Sequence, residues 1–238
     1  MSLIQNVVPI FRNTIIVMMQ TIVLRVAFLL ALLPCALRIY AQDPRRFQAE
    51  VAELTANDKS LNKKDIVLFT GSSSIRMWSS LQSDFPNYNI VNRGFGGSQT
   101  SDLLYFFNQL ILPYNPKKIF IYEGDNDLSL GKSPGQILST MDSVITMIRQ
   151  KISKAVPIYV ISPKPSISRW HLKDKYVEFN TLMSQLASQR NKVYFVDVWS
   201  PALDNSGTVI KDIFLEDGLH MNSKGYTIWA NVLRKYLP

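Results

Sequence analysis

Two short blocks far apart in the chain carry side chains of complementary chemistry. Gly71-Ser72-Ser73 follows the apolar run Ile66-Val67-Leu68-Phe69, and Asp217-Gly218-Leu219-His220 stands near the carboxyl end. A serine hydroxyl is a weak nucleophile until a base takes its proton, and imidazole is the side chain suited to that near neutral pH. The chain holds 2 histidines, His171 and His220, so few residues can carry such chemistry. An aspartate three positions before His220 can take the imidazole Nδ1 proton and leave Nε2 toward Ser73, the orienting role in a Ser-His-Asp triad. Each block alone is weak. Ser72, Ser73 and Ser74 could simply cap a helix, and Asp-x-x-His is frequent by chance.

Two further blocks lie between them. Asn92-Arg93-Gly94-Phe95-Gly96-Gly97-Ser98 is a turn whose glycines permit close backbone approach and positive φ. Gly124-Asp125-Asn126-Asp127 offers the Asn126 carboxamide as a hydrogen-bond donor to an oxyanion. Asp125 and Asp127 raise the question of calcium. Gly131 falls one position late for an EF-hand loop, and its twelfth position is Gln136. No metal site and no cofactor are expected.

These blocks need a frame that brings them together. The runs 66–69, 119–122, 158–161 and 193–198 lack clean alternation and are rich in β-branched or aromatic residues, the pattern of strands covered on both faces. A weaker strand is expected at 88–91. Apolar residues at three-and-four spacing predict helices around 103–111, 137–148, 179–186 and 229–236, with a leading helix over 44–56. Strand and helix alternate, which specifies a parallel α/β sandwich whose loops gather at the carboxyl edge of the sheet. Ser73 would stand there, at the start of a helix carrying Ile75, Trp78 and Leu81, whose positive dipole end favours a developing anion.

The order of the four blocks resembles that of the SGNH, or GDSL-type, hydrolases, over Lys64 to Leu237. The resemblance implies a three-layer α/β/α sandwich with a five-stranded parallel sheet, the flavodoxin-like SGNH fold, and a serine esterase that works through an acyl-enzyme. Ser73 is similar to the family nucleophile, and Asp217 with His220 to the rest of its triad. The implied oxyanion donors are the N–H groups of Ser73 and Gly97 and the Asn126 amide. One position departs: Ser72 stands where the family usually has aspartate. The Gly-x-Ser-x-Gly elbow of the α/β-hydrolases is absent, since Ile75 is the second residue after Ser73. Because the base must be neutral to take the serine proton, turnover is expected to rise from acid toward neutral pH.

Substrate identity is less constrained. Arg76, one helical turn after Ser73, and Arg93, beside the glycine loop, are candidates for recognising a carboxylate or phosphate, although both are as easily solubilising residues. Trp170 and His171, in the polar loop after Pro163 and Pro165, are candidates to line a sugar cleft. Acetyl esters of carbohydrate are the expected substrates. Lysophospholipase or thioesterase chemistry is the alternative, and an inactive glycan-binding module the remote one.

The first 41 residues read as a secretory signal. They hold Arg12, Arg25 and Arg38, no acidic residue, and an apolar stretch at 26–37 broken by Pro34. The expected cut after Ala41 removes three arginines, lowering Lys+Arg from 26 to 23 against 18 Asp+Glu and the formal charge from +8 to +5. It also removes Cys35, the 1 cysteine of the chain, and with it thiol chemistry. Cys35 after Leu32-Leu33-Pro34 is a poor match to a lipoprotein acylation site. Export to the periplasm or outside the cell is expected, with membrane contact only through an uncleaved leader. Residues 42–238 then form one hydrolase domain. The dispersed basic residues, without interleaved aromatics, argue against nucleic acid as a partner.

Overall fold

The computed structural model describes residues 43–237, so the expected leader, residues 1–41, lies outside the described residues. The chain divides into two compact units, Met1–Arg46 and Phe47–Pro238. Of the first, residues 43–46 are described, with the Arg45 N–H donating to Asp43 at 2.9 Å. All that follows concerns the second.

Its centre is a five-stranded sheet, β1 (Ile66–Gly71), β2 (Asn89–Gly94), β3 (Lys118–Tyr122), β4 (Ile158–Ile161) and β5 (Val193–Val196). Every pairing is parallel and the order is β2-β1-β3-β4-β5. Side chains alternate between faces along a strand, and the central strands β1, β3 and β4 are covered on both faces, so nearly every position in them is apolar. Ile66, Leu68, Ile119, Ile121, Ile158 and Val160 face one layer. That layer holds helices α1 (Gln48–Thr55), α4 (Thr100–Tyr105), α5 (Phe107–Leu110), α7 (Pro134–Lys151) and α8 (Lys173–Ser188). Val67, Phe69, Phe120, Tyr122, Tyr159 and Ile161 face the other, built on α2 (Ser73–Arg76), α3 (Leu81–Asp84) and α9 (Ser223–Leu233). A short helix α6 (Asp125–Ser129) leads out of β3. Among the described residues no helix is long and apolar enough to cross a membrane.

The continuous apolar runs therefore come from burial on two sides. One row makes the register visible: Phe69, Phe120, Tyr159 and Tyr194 are paired neighbours on four adjacent strands. Their rings stack at centroid separations of 4.5, 4.5 and 5.1 Å.

Element ends differ from expectation for local reasons. The helix expected after Ser73 is two separate turns, because Met77 at ψ 0° closes the first and Trp78 then turns inward onto Tyr226 and Trp229. β5 stops at Val196 and not at Val198, since the Asp197 side chain accepts the N–H groups of Trp199 and Ser200 and bends the chain. The 103–111 helix breaks at the buried Phe106, and the leading helix is α-helical only over Gln48–Thr55.

β1 lies between β2 and β3, so the winding of the chain reverses there, and the crevice beyond the carboxyl ends of β1 and β3 is the natural ligand position in such a sheet.

Candidate active site

At that crevice β1 ends on Gly71, and the next residues are anchored by backbone alone. The Ser72 N–H donates to the Tyr122 carbonyl at 3.1 Å, and the Phe95 N–H donates to the Gly71 carbonyl at 2.9 Å. Ser73 is thereby delivered as the first residue of α2. Its Oγ lies 3.0 Å from His220 Nε2.

His220 arrives from the opposite end of the sequence. Gly218, at φ +62°, makes a tight turn, and the Leu215 N–H donates to the His220 carbonyl at 2.8 Å. His220 Nδ1 is 2.5 Å from Asp217 Oδ2. The other oxygen of Asp217 accepts the N–H groups of Leu219 and His220 at 2.8 and 2.9 Å, which locks the carboxylate against the ring. Slight burial raises the Asp217 carboxyl, but the His220 ring and these two N–H groups outweigh it and bring it down to about 2. An ionised Asp217 accepts the Nδ1 proton and leaves the Nε2 lone pair to the Ser73 hydroxyl. Directly after this turn Asn222 caps α9 by accepting the N–H groups of Lys224 and Gly225. The Tyr226 hydroxyl then donates to the Ser74 carbonyl at 3.0 Å, tying the histidine's helix to the serine's turn.

The two loops flanking Ser73 supply donors. Gly97 is exposed, and a Cβ built on it would lie 3.8 Å from Asn126 Nδ2, so the two groups face each other. Neither the Ser73 nor the Gly97 N–H donates to another backbone group among the described residues. Asn126 Nδ2 donates to the Ser98 carbonyl at 2.9 Å, which uses one of its two protons and leaves the second. The expected dipole contribution is corrected here. α2 is a single turn of 4 residues, too short to build a macrodipole, and what it offers an anion is individual N–H groups. Ser72, in the aspartate position, is buried; its carbonyl accepts the N–H groups of Ile75 and Arg76, and its side chain caps nothing.

Behind Asn126 lies a buried ionic cluster that sequence reading missed. Asp125 Oδ1 accepts from Arg169 Nη1 at 2.6 Å and from the Tyr176 hydroxyl. Its Oδ2 accepts from the Tyr122 hydroxyl at 2.9 Å and faces Lys164 Nζ at 3.4 Å. Burial alone would raise the Asp125 carboxyl, but Lys164 and Arg169 outweigh it and bring it down to about 2. A carboxyl depressed in the folded state stabilises the fold fully above its unfolded value, near 3.9, and loses that contribution as pH falls toward about 2. Wild type is therefore expected to lose on the order of 2 kcal/mol from this group between pH 5 and pH 2. Urea midpoints followed over that range should show the loss, and Asp125→Asn, already weaker at pH 7, should lack this part of the slope. Nearby, burial and then Asp127 push the Glu123 carboxyl well above its usual value, and the Ser98 hydroxyl donates to it at 2.7 Å. The Ser98 segment is thus held on two sides.

The four substrate candidates fare differently. Arg93 is not available to a ligand. It is buried, paired with Asp58, and donates to the Tyr114 hydroxyl at 2.5 Å and the Asn92 carbonyl at 2.7 Å, so its fork is spent inside the fold. Arg76 is exposed and 3.7 Å from Glu50 Oε1, which also accepts the Gly96 N–H at 2.7 Å. It lines an open hollow of about 370 Å³ with Gln82, Asn92 and Gly94. Trp170 stacks on Trp199 at 6.0 Å and under Lys173, and His171 is exposed. The residue of this loop that reaches the site is Arg169, just before that pair in sequence, through Asn126; no spacing pattern marks it, and the one signal is a cation in the loop that holds Trp170 and His171. Among the described residues no group of three or more His, Cys, Asp or Glu side chains is placed to hold a metal ion.

Residues 62–228 match the GDSL-like lipase/acylhydrolase family, a span that contains all four blocks. The chain belongs to that family. This acylhydrolase is an enzyme that hydrolyses ester bonds. Its fold is similar to that of a Streptococcus pneumonia protein titled a "putative platelet activating factor", 25% identical with a TM-score of 0.72 over 87% of this chain and 99% of the other. It is also similar in fold to Axe2, an acetylxylan esterase from Geobacillus stearothermophilus, 17% identical with a TM-score of 0.60 over 72% of this chain and 93% of the other. In sequence the acylhydrolase is 28% identical over 130 residues to an Acetivibrio thermocellus protein named "Putative endoglucanase X", covering 54% of this chain and 53% of that protein. The chain thus spans about half the length of that curated relative.

Proposed function

We propose that this acylhydrolase is a serine esterase that removes short acyl groups, acetyl above all, from carbohydrate through an acyl-enzyme on Ser73. The observation that carries the reading is the unbroken line from Asp217 Oδ2 through His220 to Ser73 Oγ, at 2.5 and 3.0 Å. His220 Nε2 takes the Ser73 proton as Oγ bonds to the ester carbonyl carbon, and Asp217 stabilises the imidazolium that forms. The carbonyl oxygen becomes an oxyanion held by the N–H groups of Ser73 and Gly97 and by the free Nδ2 proton of Asn126. His220 returns its proton to the leaving alcohol, the C–O ester bond breaks, and water repeats the cycle on the acyl-enzyme.

Carbohydrate as the alcohol is supported by the acetylxylan esterase of similar fold and by the relative named for endoglucanase. A short acyl group is supported by the loops after β1, β2 and β3, which turn directly into helices and carry no insertion that would enclose a long chain. The leader and the expected export fit a glycan target outside the cytoplasm and belong to the same proposal.

A fluorophosphonate should label the protein at Ser73, and a panel of p-nitrophenyl acyl esters beside acetylated xylo-oligosaccharides should give the highest kcat/KM with acetyl. A rate that climbs with acyl length would replace this reading with a lysophospholipase-type one. Absence of labelling would favour a glycan-binding module.

A further inference from the structure

We propose that Arg169 is the positioning residue that sets the Asn126 carboxamide for the oxyanion, acting through Asn126 and not on the substrate. The inference rests on the reading of Asn126 as an oxyanion donor. It adds the residue that makes that donor work.

A carboxamide is nearly two-fold about its last torsion, so its N and O ends exchange places unless their partners differ. At Asn126 the exchange would be ruinous. It would set Oδ1 against the Ser98 carbonyl and aim lone pairs at the position where negative charge develops. Arg169 Nη2 lies 3.0 Å from Asn126 Oδ1. A guanidinium has donors and no acceptor, so this contact tolerates only the orientation with oxygen toward Arg169. With the Ser98 carbonyl taking one Nδ2 proton at 2.9 Å, the second has its direction fixed from both ends.

Arg169 is itself held rigidly. Its other terminal nitrogen donates to Asp125 at 2.6 Å, and Asp125 is caged by Tyr122, Tyr176 and Lys164. Arg169 is 16% exposed, Asp125 6% and Lys164 2%, so two cations and one anion sit out of water behind the donor. A hydrogen bond accepted at Oδ1 also draws density from the amide and strengthens its N–H as a donor. Lysine cannot replace this arrangement in full, because one ammonium does not span Asp125 and Asn126 in the plane of a fork.

The test is a double-mutant cycle on p-nitrophenyl acetate hydrolysis, with melting curves on every variant. Asn126→Ala should lower kcat on the order of a hundred- to a thousandfold. Arg169→Met should lower kcat by roughly ten- to a hundredfold with KM within about twofold, and Arg169→Lys should recover part of that loss. In the Asn126→Ala background, Arg169→Met should have almost no further effect, since the group it orients is gone. If Arg169→Met does not melt cooperatively, Arg169→Lys, which keeps the buried charge beside Asp125, is carried through the same cycle. Losses that multiply, an unchanged kcat in a folded Arg169 variant, or a change confined to KM would each overturn the inference. An Asn126→Ala protein with full turnover would overturn the reading of Asn126 instead, so the two failures are distinguishable.

Discussion

Ser73→Ala should lower turnover on the order of a millionfold while leaving the melting temperature where it is. The two halves of the expectation have separate causes. The Ser73 hydroxyl has His220 Nε2 as its hydrogen-bond partner at 3.0 Å, and Ser73 is only partly buried, so removing the oxygen opens no core cavity and strands no buried donor. The turn itself is held by Ser72, whose N–H and carbonyl are bonded through the backbone. Chemistry, in contrast, loses its nucleophile outright. What survives should be a residual acceleration of roughly a thousandfold or more over water, from the oxyanion donors and binding alone. Single-turnover assays with p-nitrophenyl acetate, paired with thermal melts, check both halves. Full turnover in a folded Ser73→Ala protein would remove the hydroxyl from the mechanism.

The residues around Ser73 divide by how they could be known in advance. Ser73, Asn126, Asp217 and His220 belong to short blocks in which neighbouring positions are distinctive, and the blocks keep their order because each follows a strand or precedes the last helix. A parallel sheet then gathers them at one edge. That much is a property of topology, and topology follows from burial: the run Ile119-Phe120-Ile121-Tyr122 is apolar at every position because β3 is covered on both faces. Arg169, Lys164 and Tyr176 carry no such mark. Lys164 is 2% exposed, and nothing in its neighbours Pro163 and Pro165 announces a buried cation. Its partner Asp125 is 39 positions away, and a salt bridge between two loops has no period and no fixed spacing.

The same reasoning explains the errors. Arg93 lies beside the glycine loop in sequence, which made it a candidate for ligand recognition, but alternation along β2 does not say where a long side chain ends. Its guanidinium runs to Asp58 and Tyr114, residues 35 and 21 positions away. The helix expected through Trp78 failed because periodicity at Ile75, Trp78 and Leu81 fits two single turns as well as one helix. All three side chains are buried either way. Chemistry anchored in local blocks was legible, whereas chemistry supplied by distant side chains was not.

Gly71→Ala is expected to cost about 4 kcal/mol or more, an effect on stability at the upper end of what one substitution does. Gly71 sits at φ +128°, a conformation that side chains of L-residues rarely adopt, and a Cβ built there would stand 2.0 Å from the Tyr122 carbonyl oxygen. That oxygen is backbone and cannot swing aside, because it also accepts the Ser72 N–H at 3.1 Å. Relief would have to come from prising β1 and β3 apart at the point where Gly71 pairs with both Tyr122 and Gly94. For a domain of this size the loss corresponds to a melting temperature lower by roughly 8 to 16 °C. Gly135→Ala is the matched control: Gly135 lies in α7, has no positive φ, and has nothing within 4 Å of its missing Cβ. That substitution should be neutral or stabilising by up to about 1 kcal/mol. Thermal or urea denaturation of the two variants side by side separates backbone strain from any general cost of adding a methyl group. If Gly71→Ala melts with Gly135→Ala, the tight exit from β1 does not depend on glycine. If it melts far below, the glycine in front of Ser72-Ser73 is what lets the chain leave the sheet sharply enough to bring the Ser73 hydroxyl to His220.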